Sequence, residues 1–98
     1  MIENRRRTKT EIIYSILRGC SEGSKKTRLM YLAKLNYSVF MKYIYNMKEM
    51  NLMEFNEGKC VLTDKGKRVL ELLDKYMEMY SKLNEVRMKL EELMQTES

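Results

Sequence analysis

Apolar residues recur in a seven-residue repeat along the C-terminal third of the chain, over residues 63–95. Positions a and d of four successive heptads are apolar without exception: Val69, Leu72, Tyr76, Met79, Leu83, Val86, Leu90 and Leu93. The pattern predicts a helix of about 32 residues, which is roughly 48 Å long, whereas a compact domain built from residues 1–68 is about 25 Å across. We therefore expect the distal half of the helix to project from the domain and to pair with another helix.

The width of the apolar stripe separates two uses of this helix. Leu70, Leu73 and Met77 widen the stripe in the first turns, whereas beyond Tyr80 mostly positions a and d remain apolar. The alternative is a surface helix that packs along its own core, but such a helix more often keeps a wide stripe to its end. We interpret residues 1–68 as a domain and residues 63–95 as a helix continuous with it, whose second half forms a dimerising coiled coil. The expected dimer contacts are Tyr76, Met79, Tyr80, Leu83, Val86, Leu90 and Leu93.

Three shorter amphipathic helices are predicted before the long one. Thr8 and Glu11 have capping-box spacing, so the first helix is expected over residues 9–20, ended by Gly19 and a turn at residues 21–24. Its apolar face consists of Ile12, Ile13, Ile16 and Leu17. The second helix is expected over residues 25–34, with Leu29, Met30, Leu32 and Ala33 inward.

The third helix has two distinct faces. Asn36 or Ser38 can cap it, and it is expected to run to Met50, where Asn51 tolerates the left-handed conformation of a helix end. The face predicted to be buried contains Phe40, Ile44 and Met47, with Tyr43 at its border. The face predicted to be exposed contains Ser38, Lys42, Tyr45 and Glu49.

A small β-hairpin is predicted between the third helix and the long one. Residues 52–55 and 59–62 are short strand-like runs around a tight loop at residues 56–58, and Thr63 can cap the helix that follows. The order helix, helix, helix, hairpin, helix is the arrangement of a winged helix-turn-helix. The predicted fold class is therefore mainly α with a small β-hairpin (α+β), extended by a long C-terminal helix.

The positive charge is concentrated in one part of the chain. Residues 1–68 hold 15 Lys and Arg against 7 Asp and Glu, a balance of +8, whereas residues 69–98 hold 4 against 7, a balance of −3. A basic globular part is typical of proteins that bind polyanions, because the release of counterions from phosphates supplies much of the affinity for nucleic acid. The alternative is that Lys and Arg only solvate helix faces, and charge alone does not decide between the two.

The chain offers no recognisable catalytic or metal site. Cys20 and Cys60 lie forty residues apart and there is no histidine, so the spacing and ligand number of a zinc site are missing. We expect both cysteines to be small packed hydrophobic residues; a disulfide between them is the less favoured alternative, known from intracellular proteins of some hyperthermophiles. A glycine-rich phosphate loop and a nucleophile with a positioned base are also missing, so we expect no enzyme activity, no cofactor and no small-molecule substrate.

No pattern in the sequence indicates a membrane. The charged N-terminus, residues 1–7, is not followed by the apolar region of a signal peptide, and no stretch reaches the ~18 apolar residues of a membrane span. We expect a soluble, cytoplasmic protein.

Several segments together resemble one protein family. They are residues 26–31 (Lys-Thr-Arg-Leu-Met-Tyr), Leu35-Asn36-Tyr37, Phe40, Tyr43-Ile44, Met47, Asn51-Leu52 and residues 62–66 (Leu-Thr-Asp-Lys-Gly). Over nearly its whole length the chain resembles the archaeal winged-helix proteins that dimerise through a C-terminal antiparallel coiled coil. The resemblance implies a nucleoid-associated homodimer that binds double-stranded DNA, either as a chromatin-type architectural protein or as a transcriptional regulator. The family often has glycine in place of Asn51, a mild departure because asparagine tolerates the same conformation.

The winged-helix arrangement assigns expected roles to exposed residues. An exposed helix N-terminus with adjacent cations binds phosphates, and the second helix begins with Lys25, Lys26, Thr27 and Arg28. The third helix is the expected recognition helix, with Tyr37 at its entrance and with Ser38, Lys42, Tyr45 and Asn46 outward. Only Lys42 and Asn46 are strong base readers, so we expect modest sequence specificity.

Other candidate residues carry weaker signals. Lys59 in the wing could reach a minor groove or a phosphate, although Glu57 beside it opposes a basic wing. Residues 5–7, all arginine, are either a flexible arm for a minor groove or a solvated tail. For Tyr37 and Tyr43 we favour packing in or beside the core, and Tyr45 remains open.

The heptads leave the orientation of the coiled coil open. Position g holds Arg68, Lys75, Lys82 and Lys89. Position c holds Glu71, Glu78, Glu85 and Glu92, which predicts Glu-to-Lys pairs four residues apart within the helix. Position e holds no acidic residue for a parallel g-to-e pairing, but this does not decide the orientation. The antiparallel orientation is expected from the resemblance only. The alternative function is a protein-interaction adaptor that does not bind DNA.

Overall fold

The computed structural model describes residues 7–95. Four helices and a hairpin follow one another in the order α1 (Lys9–Ser21), α2 (Lys26–Ala33), α3 (Tyr37–Glu49), β1 (Met53–Asn56), β2 (Lys59–Leu62) and α4 (Asp64–Leu93). The predicted fold class is confirmed, and the predicted boundaries differ from the observed ones by at most two residues.

Side-chain caps fix the starts of three helices, as predicted. At α1 the Thr8 hydroxyl accepts a hydrogen bond from the Glu11 amide at 3.1 Å, and the Glu11 carboxylate accepts one from the Thr8 amide at 2.8 Å. Asn36 and Thr63 cap α3 and α4 through side-chain oxygens that accept hydrogen bonds from amides three residues further on, each at 2.9 Å. Each cap contributes about 1 kcal/mol.

The end of α3 explains why β1 begins one residue later than predicted. Asn51 adopts the left-handed conformation with φ 60°. Its amide donates to the Lys48 carbonyl at 2.9 Å, and the Leu52 amide donates to the Met47 carbonyl at 3.0 Å. Because these are the bonds of a Schellman motif, the Leu52 amide is used in capping α3, and the strand starts at Met53.

One hydrophobic core lies between α1, α2, α3 and the hairpin, and the first turns of α4 close it. Its most deeply buried side chains are Ile16, Leu17, Leu29, Ala33, Phe40, Ile44, Met47 and Met53. The predicted apolar faces of the first three helices supply most of them. Burial of each large apolar side chain contributes about 1.5–3 kcal/mol, so this cluster dominates the stability of the fold.

Two glycines allow neighbouring elements to approach closely. A Cβ atom at position 66 would clash with the Leu52 carbonyl oxygen, so α4 can pass the end of α3 only with Gly66. A Cβ atom at position 19 would lie 2.7 Å from Leu29 Cδ2, so Gly19 lets α1 pack tightly on α2. The Gly66 contact sets the position from which α4 leaves the core.

The structure joins Cys20 and Cys60 in a disulfide, with the two Cα atoms 4.8 Å apart. The prediction of two unpaired packed cysteines is therefore wrong, although both residues are buried. Their spacing along the chain could not reveal the pair, because the end of α1 meets β2 only after the hairpin packs on the helices. The bond ties α1 to the hairpin, which we call the wing.

A polar contact also ties α1 to α4. The Tyr14 hydroxyl donates a hydrogen bond to the Asp74 carboxylate at 2.6 Å, and the Arg18 guanidinium lies 3.8 Å from the same carboxylate. The hydrogen bond to Asp74, together with partial burial and the negative charge of Asp74, raises the pKa of Tyr14 above its ordinary value. The contact helps to fix the direction of α4.

Only the beginning of α4 takes part in the core. Leu70 is buried and Val69 and Leu73 pack against the core, whereas the apolar side chains of residues 76–93, here called the distal helix, are mostly exposed. The molecule measures 61 × 27 × 20 Å because this helix extends away from the other elements. Within residues 7–95, no helix combines the length and the apolar character that a membrane span requires.

Candidate nucleic-acid interface

The residues predicted to contact phosphates lie exposed at the start of α2: Lys25, Lys26, Thr27 and Arg28. Lys25 is the N-cap residue and offers no side-chain hydrogen bond to the helix, and the first turn contains no acidic residue. The first amides of α2 therefore lack a side-chain cap. No acidic side chain in the first turn offsets the positive end of the helix dipole. This end of α2 combines three cations with amide donors that no side chain caps.

The wing lies directly beside the start of α2. Lys25 and Lys59 form an antiparallel β-bridge, and the Cys60 amide donates to the Ser24 carbonyl at 2.9 Å. The Lys26 ammonium lies 5.4 Å from the centre of the Phe55 ring, a cation–π contact with the wing. Two predicted phosphate contacts, at the second helix and in the wing, therefore share one surface. The sequence held no signal for this bridge because it joins single residues far apart in the chain.

The wing itself is weakly charged. Its turn is made by Glu57 and Gly58, both with positive φ. Glu54 and Glu57 are exposed near Lys59, so acidic side chains outnumber basic ones on the strands and turn. Because Lys59 is the one basic side chain of residues 53–62, the wing contributes little to the basic surface.

The two faces of α3 are arranged as predicted. Phe40, Ile44 and Met47 are buried, and the predicted outward residues are all exposed: Ser38, Lys42, Tyr45 and Asn46. Tyr43 is half-buried against the core, as expected. Tyr37 is 63% exposed, so its predicted packing in the core is wrong. Its position in the first turn of α3 carries the ring past the edge of the core.

Arg7 is docked on the fold. Its guanidinium donates hydrogen bonds to the Leu32 carbonyl at 3.2 Å and the Ala33 carbonyl at 3.0 Å, and a third to the Ser15 hydroxyl. These bonds satisfy carbonyls at the C-terminal end of α2. Arg7 is therefore neither a flexible arm nor a solvated tail; residues 5 and 6 of the same prediction lie outside the described residues.

The predicted dimer contacts are all exposed on the distal helix: Tyr76, Met79, Tyr80, Leu83, Val86, Leu90 and Leu93. Leu83 is 66% exposed and Leu93 82% exposed, so the apolar seam has no cover within the described residues. The rings of Tyr76 and Tyr80 stack on each other with centroids 6.4 Å apart. Leu72 is also 66% exposed and extends the seam toward the core by one heptad position, which its place at position d could have indicated.

The predicted Glu-to-Lys pairs along α4 do not form. The intrahelical ion pair that does occur in residues 64–93 joins Arg87 to Glu91 at 2.9 Å, and Arg87 also donates to Asn84. Long solvated side chains lose entropy in such pairs and gain little energy, which explains why most remain apart. The basic and acidic stripes of the helix thus stay free for other contacts.

The described part of the chain offers no site for metal chemistry. Between residues 7 and 95, no group of three or more His, Cys, Asp or Glu side chains could hold a metal ion. The exposed features of the molecule are therefore a basic surface at α2, the polar face of α3 and an apolar seam on α4.

Three helices followed by a hairpin, with a polar outward face on the third helix, define a winged helix-turn-helix. Residues 6–81 match the winged helix-turn-helix family, and the chain belongs to this family.

Three archaeal proteins are similar to the chain. The uncharacterized protein MJ0287 of Methanocaldococcus jannaschii is 37% identical over 79 residues, which cover 78% of this chain and 81% of the relative. The uncharacterized protein MJ0290 of the same organism is 33% identical over 70 residues, which cover 70% of this chain and 33% of the relative. The crystal structure of Sso10a-2, a DNA-binding protein from Sulfolobus solfataricus, matches with a TM-score of 0.77 at 26% identity, covering 93% of this chain and 100% of that one. The resemblance to archaeal winged-helix proteins is confirmed.

Proposed function

We propose that this protein binds double-stranded DNA through its winged helix-turn-helix, with α3 in the major groove. The observation that carries the proposal is the division of α3 into a buried apolar face and an exposed polar face, beside the exposed cations of α2. Sso10a-2, which shares this fold over nearly the whole chain, is a DNA-binding protein. The fold and the charge distribution favour the same ligand.

Each part of the surface has a role in this proposal. The start of α2 holds the phosphate backbone through Lys25, Lys26, Thr27 and Arg28, and Lys59 adds one contact from the wing. Lys42 meets guanine O6 and N7, and Asn46 meets adenine. The remaining contacts of the groove come from Tyr37, Ser38 and Tyr45. With two strong base readers per chain, discrimination between sequences is modest.

The biological role is either architectural or regulatory. Weak discrimination suits a nucleoid-associated architectural protein of the cytoplasm, whereas a transcriptional regulator needs one operator that competes far better than bulk DNA. Competition between genomic fragments and random duplex for the same protein separates the two roles. A fragment bound at least about a thousandfold more tightly than random duplex would identify a regulator.

We propose further that residues 63–95 make the protein a homodimer through an antiparallel coiled coil of distal helices. Seven apolar side chains at heptad spacing lie exposed along one stripe, which is costly in water and is removed when a second copy covers them. The antiparallel orientation rests on the family resemblance. It separates the two winged helices of residues 1–68 by the length of the rod.

Salt dependence of DNA binding tests the main proposal. Gel-shift titrations of random duplex at several salt concentrations should give a slope of log affinity against log salt of about −0.9 per neutralised phosphate. Lys26→Ala and Arg28→Ala should each weaken binding of all sequences about equally and reduce the slope by about 1. Lys82→Ala, which removes the same charge from an exposed site on the distal helix, is the matched control and should bind as the wild type does.

The same titration contains the result that would refute DNA binding. A protein-interaction adaptor would not shift random duplex, and its partner binding would not depend on salt. Equal losses for Lys26→Ala and Lys82→Ala would show that only net charge matters and that α2 is not a specific contact surface.

Small-angle X-ray scattering tests the orientation of the dimer. Two chains of 61 Å that overlap along the distal helix in opposite directions should span about 95 Å. A parallel pair would keep both winged helices at one end and would be hardly longer than one chain. A dimer of that shorter length would refute the antiparallel arrangement but not dimerisation.

A further inference from the structure

The seven tyrosines of this chain fall into two groups. Tyr14 donates to Asp74, Tyr76 and Tyr80 stack on each other, and Tyr43 packs beside the core. The other group is exposed and has no hydrogen bond or ring contact within residues 7–95: Tyr31, Tyr37 and Tyr45. Exposed rings of this kind add little to folding, because burial is what makes an aromatic side chain stabilising.

Two of the exposed rings lie on α3 in one continuous stripe. Tyr37, Met41 and Tyr45 follow each other at four-residue spacing, so their side chains are neighbours along the helix surface. Tyr37 and Tyr45 are separated by about 12 Å along the helix axis, and they are 63% and 64% exposed. We call this the tyrosine stripe.

Cations flank the tyrosine stripe. Lys42 and Lys48 lie three residues before and three residues after Tyr45, which places one exposed ammonium on either side of its ring along the helix. Alternating cations and exposed aromatic rings are the arrangement that binds single-stranded nucleic acid, since bases stack on the rings while the backbone runs along the charges. A base pair inside a duplex cannot offer its face to a ring, so this chemistry serves unpaired bases.

We propose that the tyrosine stripe binds single-stranded nucleic acid by stacking unpaired bases on Tyr37 and Tyr45. The inference rests on the proposed nucleic-acid function of the same helix and adds a second substrate class to it. The phosphates of the strand lie near Lys42 and Lys48. Duplex and single strand use the same face of α3 and therefore compete for it.

Fluorescence anisotropy with labelled oligonucleotides of about 16 nucleotides tests the proposal. The probes are oligo(dT), an abasic strand of the same length, which keeps the phosphates but lacks the bases, and a duplex of the same length. The variants are Tyr37→Ala/Tyr45→Ala and the conservative pair Tyr37→Phe/Tyr45→Phe, which keeps both rings. Thermal melting should be the same for all proteins because both side chains are exposed.

The expected result is a selective loss. The alanine pair should bind oligo(dT) about tenfold more weakly or worse, and this loss should exceed the loss of duplex affinity that follows from removing two groove contacts. The phenylalanine pair should retain most of the oligo(dT) affinity. Wild-type protein should bind the abasic strand as weakly as the alanine pair binds oligo(dT), and its tyrosine fluorescence should be quenched by oligo(dT) only.

Several results would overturn the inference. Equal losses for the phenylalanine and alanine pairs would assign the contact to the hydroxyl groups, and equal binding of abasic strand and oligo(dT) would assign it to charge. Normal oligo(dT) binding by the alanine pair would show that the tyrosine stripe does not bind single strands and would favour a protein partner for it. If the protein binds duplex but does not bind oligo(dT), only this inference is refuted. If it binds neither probe, the proposed function is refuted as well.

Discussion

The globular part of this protein, residues 7–73, and its distal helix use similar residues in opposite ways. In the globular part, apolar side chains such as Phe40 and Ile16 are completely buried, whereas Leu83 and Leu93 of the distal helix are mostly exposed. Both regions follow a regular apolar period. The difference shows that periodicity states where apolar side chains lie on a helix, but not whether the same chain covers them. The globular part is stabilised by its own contacts, and the seam of the distal helix needs a second molecule.

The largest expected effect comes from charge in the seam. Leu83→Asp/Leu90→Asp should abolish dimerisation, because carboxylates without partners would be buried where the two helices meet. Light scattering should report half the wild-type mass, while circular dichroism still shows a folded globular part. Met88→Asp, an exposed position outside positions a and d, is the matched control and should stay dimeric. Wild-type mass for the double variant would contradict the coiled coil.

Loss of a core side chain should have the next largest effect. Phe40→Ala removes a completely buried ring from α3 and should cost about 3–5 kcal/mol of the free energy of unfolding. Val39→Ala, the exposed neighbour on the same helix, should change it by less than about 0.5 kcal/mol. Urea denaturation measures both. If Phe40→Ala were as stable as Val39→Ala, the assignment of the two faces of α3 would be reversed.

The disulfide should contribute somewhat less. Cys20→Ala/Cys60→Ala opens a loop of 40 residues. It should lower the free energy of unfolding by about 2–4 kcal/mol, mainly because the unfolded chain gains conformational entropy without the cross-link. Thermal melting with and without reductant measures the effect. Reductant should lower the melting temperature of the wild type and leave that of the double variant unchanged. Two free thiols in the denatured, unreduced protein would refute the bond.

The smallest effect concerns the junction between the two regions. Tyr14→Phe removes the hydrogen bond to Asp74 and should cost about 1 kcal/mol at neutral pH. The folded-state pKa of Tyr14 is raised above the unfolded value of 10.0, so its contribution is fully present below that value and is lost as the pH rises through the folded pKa.

Melting curves of the wild type and Tyr14→Phe at about pH 8 and about pH 11 test this dependence. The gap between the two proteins should shrink at the higher pH. A constant gap would indicate that the hydrogen bond does not form in solution.

Local features of the sequence were sufficient for much of the fold. Thr8 with Glu11, Asn36 and Thr63 cap helices because each cap involves atoms only three residues apart. The buried face of α3 and the left-handed Asn51 also follow from neighbours within a few positions. The order of elements and the polar outward face of α3 could be predicted for the same reason.

Several features that could not be predicted join distant parts of the chain. The Cys20–Cys60 bond and the Lys25–Lys59 bridge exist because the wing packs against the end of α1 and the start of α2. Arg7 is ordered by carbonyls of α2 that it meets only in the folded state. The spacing of apolar residues along the chain does not indicate such long-range contacts.

The sequence by itself determined which faces of the helices are apolar, where the helices begin, and where the basic charge lies, since these depend on the spacing of neighbouring residues. The length of the long helix and the narrowing of its apolar stripe predicted that its distal half projects, and the tertiary structure decided where along α4 the cover ends. It buried the first turns of α4 against the core, left residues 76–93 uncovered, and turned Tyr37 outward past the edge of the core. The physical reason is that burial depends on the size and shape of the assembled core, and a core this small ends before the long helix does.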